Sequence, residues 1–443
     1  MRMWWVRLGQ STPERVLRAA LLLILFLIPV SLLVILDLSQ AVVTSRYNQF
    51  AVPTFYGVEG LIVVTLAGWW QLRRPTARSL KPFRWLVPAV AVAGLSALWA
   101  PSPGLAIITA IHLLMALGLL VMLSREFRDA AFLKMAAWTV TSAAVIQVLI
   151  GFDQFVTGYD LGLRVLGEPM LSLAQSNVAK VGDHLRAYGT FPHPNLLAAF
   201  LAIAIFWVGT VIFWPFERGG QDLPRLTVTG IVLSLLGIGL LLTFSRTALV
   251  IVAINGTLVV VFSYLRWRRL PLVAGLTALA VGIAALGLIG QLADRTRLES
   301  SRETGVSNRT IGYELAGRMI LERPYGVGAG NFVLVAPELR IIPSYQYQPA
   351  HNAPLLAFAE VGVIPALLLV TFVIRVGTRF HFYQPKNRRE NILNFSLFAL
   401  SGVLIALGIT DHFLWSLPQG LWITVVVLAA VTARIPERRF QTV

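Results

Sequence analysis

The sequence predicts an all-α integral membrane protein of about twelve transmembrane helices, and three observations carry that expectation. Of its 443 residues, 56% are hydrophobic and only 13% charged, where a soluble domain has roughly 25% charged residues. Mean hydropathy is +0.73. The basic residues, 33 Arg and 4 Lys, stand in short clusters between long apolar runs; those runs measure about 18 to 22 residues, the length that crosses a hydrocarbon core of about 30 Å as a helix. A soluble enzyme is excluded, and so is a nucleic-acid-binding protein: the net charge of +16 is dispersed along the chain and forms neither one face nor a basic tail. With no cysteine there is no disulfide framework, no Cys-based zinc site and no thiol nucleophile.

The expected spans run over about 18–37, 53–71, 85–100, 104–123, 130–152, 195–215, 226–244, 246–265, 271–291, 353–376, 393–411 and 413–433. The first continues into Asp37 without a small-residue cleavage pattern, so it is expected as a retained span and not a removed signal peptide. The third is short and ends at Trp99-Ala100-Pro101-Ser102-Pro103. Alternate connections hold 25 of the 37 basic residues, from Arg2, Arg7, Arg15 and Arg18 at one end to Arg434, Arg438 and Arg439 at the other. Short loops rich in Lys and Arg stay cytoplasmic, so both termini are expected in the cytoplasm. The short opposite loops hold only Arg46 and Arg246.

The chain reads as a single membrane domain, 1–443, with two long outer loops at about 153–194 and 292–352. In the second, Ile311, Leu315 and Met319 recur every four residues and Glu314, Arg318 and Glu322 form i,i+4 pairs, which predicts an amphipathic helix over about 308–322. Arg323-Pro324 stops it, because proline cannot continue a helix and disfavours helical geometry in the residue before it.

The chemistry concentrates around these loops. Arg186 lies in His184-Leu185-Arg186-Ala187-Tyr188-Gly189-Thr190-Phe191-Pro192-His193-Pro194-Asn195. A plain reading makes this a surface loop in which Pro194 and Asn195 open a helix. A permanently charged guanidinium, however, presents a fork of donors that matches phosphate oxygens. Arg246 sits in Thr243-Phe244-Ser245-Arg246-Thr247, between two apolar runs with almost no loop to spare. Either it snorkels to headgroups or it pairs with an anionic ligand, since an uncompensated charge there is costly.

His351-Asn352 precedes the tenth span. A histidine at a helix entry can be a simple cap or a solvated loop residue, yet its ordinary pKa of about 6.5 suits general-base work. Glu360 reads as a structural buried acid paired with an arginine or a backbone donor, and Glu59 and His112 as interhelical partners. Gly326-Val327-Gly328-Ala329-Gly330-Asn331-Phe332 lacks the strand-turn-helix context and the Lys-Ser/Thr of a nucleotide site, and reads as a glycine turn bringing the outer loop close to the bundle. Arg309 and Arg318 flank that turn on the amphipathic helix, where a solvated face is the plain reading.

The order of these motifs resembles the O-antigen ligase family. The resemblance rests on Arg186 with Gly189-Thr190-Phe191-Pro192-His193-Pro194-Asn195, then Ser245-Arg246-Thr247-Ala248-Leu249, then Arg309, the Arg323 to Phe332 turn, and His351-Asn352 with Glu360-Val361-Gly362. It covers about 186–365. It implies a GT-C-like, metal-independent, inverting glycosyltransferase of the bacterial inner membrane, with no cofactor and with its active site at the periplasmic face. The implied donor is an undecaprenyl diphosphate-linked glycan; the implied acceptor is a lipid A-core sugar for a ligase, or another lipid-linked glycan for a polymerase. Arg186 and Arg246 are implied in diphosphate binding and His351 in orienting or deprotonating the acceptor hydroxyl. Substrate contacts are expected of Arg309, Arg318, Asn352, His193 and Asn195. A reading of a different class is a multispan transporter or flippase, which should show paired halves or broken helices near the midplane.

Overall fold

The computed structural model describes residues 11–39, 41–43, 46–75, 80–175, 178–213, 223–267, 295–340, 347–381 and 388–434. Helix dominates them. In chain order the helices are α1 (Thr12–Leu27), α2 (Gly57–Arg73), α3 (Val87–Leu95), α4 (Pro103–Glu126) and α5 (Ala130–Thr157). Then come α6 (Pro194–Phe213), α7 (Leu223–Leu242), α8 (Arg246–Trp267), α9 (Arg295–Glu322) and α10 (Phe332–Leu339). The last are α11 (Ala353–Val361), α12 (Val363–His381), α13 (Arg388–Thr410), α14 (Phe413–Ser416) and α15 (Pro418–Thr432). Three antiparallel two-stranded ribbons interrupt them. They pair β1 (Leu33–Ile35) with β4 (Thr54–Tyr56), β2 (Val42–Val43) with β3 (Arg46–Tyr47), and β5 (Lys180–Val181) with β6 (His184–Leu185).

Two compact units are formed from interleaved segments. The first takes Met1–Leu32, Phe127–Arg295 and Gln384–Leu407; the second takes Leu33–Glu126, Thr296–Tyr383 and Gly408–Val443. In the first, α5 packs on α1, α6 and α7, and a side-chain bond from Arg18 Nη1 to Asp129 Oδ2 at 2.7 Å ties α1 to the residue that caps α5. In the second, α4 packs on α15, α3 and α2. The expected Glu59–His112 partnership joins α2 to α4 at 3.2 Å, and Arg73 meets Glu126 at 3.2 Å at the far ends of the same helices.

This is a helical membrane protein. Among the described residues three helical stretches are long and apolar enough to cross a membrane: α4, α5 and Leu393–Thr410 of α13. Their outward faces are as apolar as their buried ones, with Ile107, Leu114, Leu149 and Phe398 exposed, the pattern of a helix surrounded by hydrocarbon. Six apolar helical stretches are shorter, among them Pro194–Val208, Thr227–Leu242 and Arg246–Val259. The described residues therefore support the helical class without reaching twelve full spans, and the expected span at 271–291 lies outside them.

Five expectations are corrected. The first span does not run to 37: α1 starts earlier, behind a capping box in which Ser11 and Glu14 bond each other's backbone N–H groups, and it ends at Leu27. Pro29 lacks the N–H that a continuing helix needs, and Val34 and Ile35, β-branched, join β1 instead, in register with Phe55 and Thr54. The third span shrinks to α3 plus one 3-10 turn over Ser96–Leu98. The amphipathic helix is longer than expected, Arg295–Glu322, although it ends at Glu322 as Pro324 requires. Pro418 and the extended Leu417 divide the last span into α14 and α15.

The tenth span is also broken, between α11 and α12 at Gly362, whose φ is +89°. The break is filled by the glycine turn. Val327 N–H donates to Ala359 O at 2.9 Å, Gly328 N–H to Glu360 O at 3.0 Å, and Val363 N–H to Pro324 O at 2.9 Å. Backbone groups freed by a broken helix must find partners inside protein, and here the chain's own backbone supplies them. A transporter break would instead offer those groups to its cargo. The approach is so close that a Cβ on Gly326, whose φ is +94°, would stand 2.4 Å from Glu360 O. Gly326→Ala is therefore expected to lower stability by about 3 kcal/mol, from overpacking plus backbone strain. Thermal denaturation in detergent should show a lower midpoint, and an unchanged midpoint would refute the fit.

Candidate functional site

The chemistry forms two clusters, one in each unit. In the first unit the 186–190 segment is held from α5. Gln154 Oε1 accepts the N–H groups of Tyr188 and Gly189 at 3.0 and 2.9 Å, its Nε2 donates to Gly189 O at 2.8 Å, and Gln147 Oε1 accepts Thr190 N–H at 2.8 Å. This fixes the backbone that follows Arg186. Ala187 N–H then donates to Leu242 O at 2.9 Å, and Arg186 Nε donates to Thr243 O at 2.6 Å. The C-terminal carbonyls of a helix lack intrahelical partners and favour a cation, so the end of α7 is where an arginine settles.

The other side of the Arg186 fork, Nη2, donates to Asn195 Oδ1 at 2.8 Å. His193 Nδ1 accepts Asn195 N–H at 3.1 Å, which caps the start of α6. Asn195 is thus the hydrogen-bond partner of Arg186, and His193 an exposed ring beside the helix entry.

Arg246 begins α8 directly after that turn and is exposed. Between them Phe244 holds φ +49°, a left-handed conformation that is a genuine outlier for a bulky residue and that clusters at functional sites. Its ring stacks on Phe155, which stacks on His184, with interplanar angles of 18° and 17°. Among the described residues no carboxylate pairs with Arg186 or Arg246. Burial, and secondarily the charge of Arg246, push the Arg186 guanidinium down to about 10, against an opposing pull from Tyr188. The charge of Arg246, at the start of α8, reaches Arg186, and two guanidinium groups with no carboxylate between them suit an anion.

In the second unit His351 precedes α11. Asn352 caps that helix, its Oδ1 accepting Leu355 N–H at 2.8 Å while its Nδ2 donates to Ile409 O at 3.0 Å. Ala353 N–H donates to Asp411 O at 3.1 Å. The Asn352 side chain is thus engaged at both ends in docking α11 onto the end of α13. That docking brings Asp411 and His412 to His351, whose ring meets the His412 ring edge-on at 5.1 Å and 84°. Tyr313 of α9 donates its hydroxyl to His351 O at 3.0 Å. Burial lowers the His351 pKa; the Asp411 charge opposes this and the Arg309 charge adds to it. His351 therefore stays neutral at pH 7, as a proton acceptor must.

The structure brings Arg309 to this cluster and leaves Arg318 elsewhere. Arg318 pairs with Glu314 at 2.9 Å along α9 and reaches Leu339 O at 3.4 Å. Glu360 is the buried structural acid expected, its Oε2 accepting Gly330 N–H at 3.0 Å and Trp415 Nε1–H at 2.8 Å.

Asp411 and His412 are the residues that sequence reasoning missed. Their signal was the one that marked Arg246: polar groups between two apolar runs, in Ile409-Thr410-Asp411-His412-Phe413, with no loop to hold them. With His351 they form the one cluster of metal-ligating type among the described residues, with ligand atoms within 4.8 Å of one another. Ligands around a tetrahedral zinc ion at 2.0 to 2.1 Å lie only about 3.3 Å apart, so the set would have to close to hold one. Asp411 Oδ1 is meanwhile engaged by His412 N–H at 2.8 Å.

Burial pushes the His412 ring down to about 4, outweighing the opposite pull of Asp411. The unfolded chain therefore binds more protons than the folded one between pH 6.5 and 4, and folded stability falls as pH falls through that window. A loss on the order of 3 kcal/mol is expected, and His412→Gln should flatten that part of a plot of denaturation midpoint against pH.

The first unit thus carries two guanidinium groups with no carboxylate partner among the described residues, and the second a histidine at a helix entry whose pKa burial lowers. Residues 231–371 match the family model Wzy_C, described as O-antigen ligase. The match contains Arg246, Arg309, His351 and the glycine turn. Members of this family are glycosyltransferase-like enzymes acting on lipid-linked glycans. No curated protein matches the chain.

Proposed function

We propose that the protein transfers a glycan from an undecaprenyl diphosphate-linked donor to a sugar hydroxyl at the periplasmic face of the bacterial inner membrane, as an O-antigen ligase acting on lipid A-core. The observation that carries this reading is the pairing of Arg186 with Arg246 free of any carboxylate among the described residues. In the transfer a ring nitrogen of His351 takes the acceptor's hydroxyl proton, and the oxygen's electron pair forms the bond to the anomeric carbon with inversion. The anomeric bond to the diphosphate breaks and its electron pair stays on the departing oxygen, where the two guanidinium groups neutralise it. Preorganised cations aimed at developing charge are a large catalytic term, and in this role they replace a divalent metal.

The test is reconstitution of the purified protein with a polyprenyl diphosphate-linked oligosaccharide and, separately, lipid A-core or a second donor molecule as acceptor. A single glycan added to lipid A-core, formed equally in the presence of EDTA, supports the ligase. A ladder on the lipid carrier supports the second reading, a polymerase using the same donor chemistry. No product from either acceptor would sink the proposal.

A further inference from the structure

We propose that Asp411 and His412 form a positioning pair for His351, with the His412 ring fixing the orientation of the His351 imidazole and the Asp411 carboxylate balancing the charge that the imidazole acquires. The pair touches no reacting atom and acts through His351, so the inference rests on the reading of His351 as the base.

The geometry supports each half. The His412 ring is itself immobilised: its Nδ1 lies 2.6 Å from Ser416 Oγ, its Nε2 lies 3.8 Å from Asp411 Oδ1, and Phe50 packs edge-on against it at 5.3 Å. Both Asp411 and His412 are buried, at 7% and 8% exposure, so His351 meets a wall that does not yield. The wall is built by backbone bonds, Ala353 N–H to Asp411 O and Asn352 Nδ2 to Ile409 O, which place it beside the base whatever the two side chains are. The charged and titratable groups facing His351 are Asp411 and His412 from the α13–α14 junction and Arg309 and Tyr313 from α9. An Asp411 carboxylate oxygen lies within 4.8 Å of a His351 ring nitrogen, and of these groups Asp411 alone favours the imidazolium. A carboxylate beside a histidine that stabilises the imidazolium during proton transfer is a recurring solution in hydrolases and transferases.

When His351 takes the proton of the acceptor hydroxyl it becomes a cation next to Arg309, and the carboxylate offsets that neighbour. The proton leaves later to water, and the pair ends unchanged. Nothing in this cycle consumes Asp411 or His412, which is why their loss should alter the behaviour of His351 and leave donor binding as it was.

The test uses the full-length protein in detergent with ring-labelled histidine, following the His351 resonance by its titration and assigning it by its loss in His351→Gln. Asp411→Asn is expected to move the His351 midpoint down by about 0.5 to 1 pH unit. Transfer should lose about tenfold or more in kcat, with KM for the donor unchanged and the acid limb of the rate profile shifted the same way. Asp411→Glu should restore most of both. His412→Gln should lower kcat without moving KM and broaden the His351 signal. Should Asp411→Asn fail to fold, the His412→Gln and Asp411→Glu titrations carry the decision. An unmoved midpoint and full activity in folded variants would overturn the proposal. So would transfer that EDTA abolishes and Mn2+ or Zn2+ restores, because the trio would then be a cation site. The titration needs no substrate, so full transfer by His351→Ala would remove the assignment of the base while leaving the measured effect of Asp411 on the ring standing.

Discussion

Replacing Arg246 with alanine should reduce glycan transfer by about 100- to 1,000-fold, the cost of removing one preorganised donor from a site where negative charge develops. Arg246→Lys should recover little of it. Lysine supplies a point charge without the planar fork that grips two phosphate oxygens, and it cannot share the turn with Arg186 in the same way. Arg186 is anchored through Nε to Thr243 O and through Nη2 to Asn195, so Arg246, exposed and without a carboxylate partner among the described residues, is the member free to close on the donor. Rates measured with a polyprenyl diphosphate-linked oligosaccharide decide this, and full transfer by Arg246→Lys would mean that the diphosphate is held elsewhere.

His351→Ala should abolish transfer to the limit of detection while leaving donor binding intact, because the base acts on the acceptor and not on the diphosphate. In the intact protein the rate should hold below pH 6.5, where half of an ordinary imidazole would be protonated. The sign follows from burial: it lowers the His351 pKa, so the ring remains a base at pH values that would silence a solvated histidine, and the acid limb lies on the low side of that value. A limb centred above pH 6.5 would contradict the burial of the ring.

Much of this site was legible in the residues, and the limits of that legibility are physical. Arg246 betrayed itself because a charge between two apolar runs has no loop to retreat into. His351 did so through its place at a helix entry, and the stop at Glu322 through Pro324. The same signal stands in Asp411-His412, but only the docking of α11 against the end of α13 shows what those residues face. The break at Gly362 was hidden for another reason. Its hydropathy is continuous, and only the turn at Gly326, arriving from a distant part of the chain, fills the gap. The stop of α1 at Leu27 was readable in Pro29 but was outweighed by an apolar run that goes on to Leu36. Hydropathy measures preference for hydrocarbon, and it does not measure where a backbone turns.

The interleaving of the two units has a consequence for biosynthesis. Helix α4 packs on α15, yet residues 127–417 are made between them. At about 5 to 20 residues per second, α4 waits roughly 15 to 60 s in the bilayer before its partner emerges from the ribosome. During that interval Glu59 of α2 and His112 of α4 already stand 3.2 Å apart. Asp411, His412 and the docked entry of α11 can be assembled only in the last moments of synthesis. The entry of α11 therefore waits for residues made some sixty positions later, and a chain stalled before Ile409 would leave Asn352 and Ala353 without the carbonyl groups that dock them.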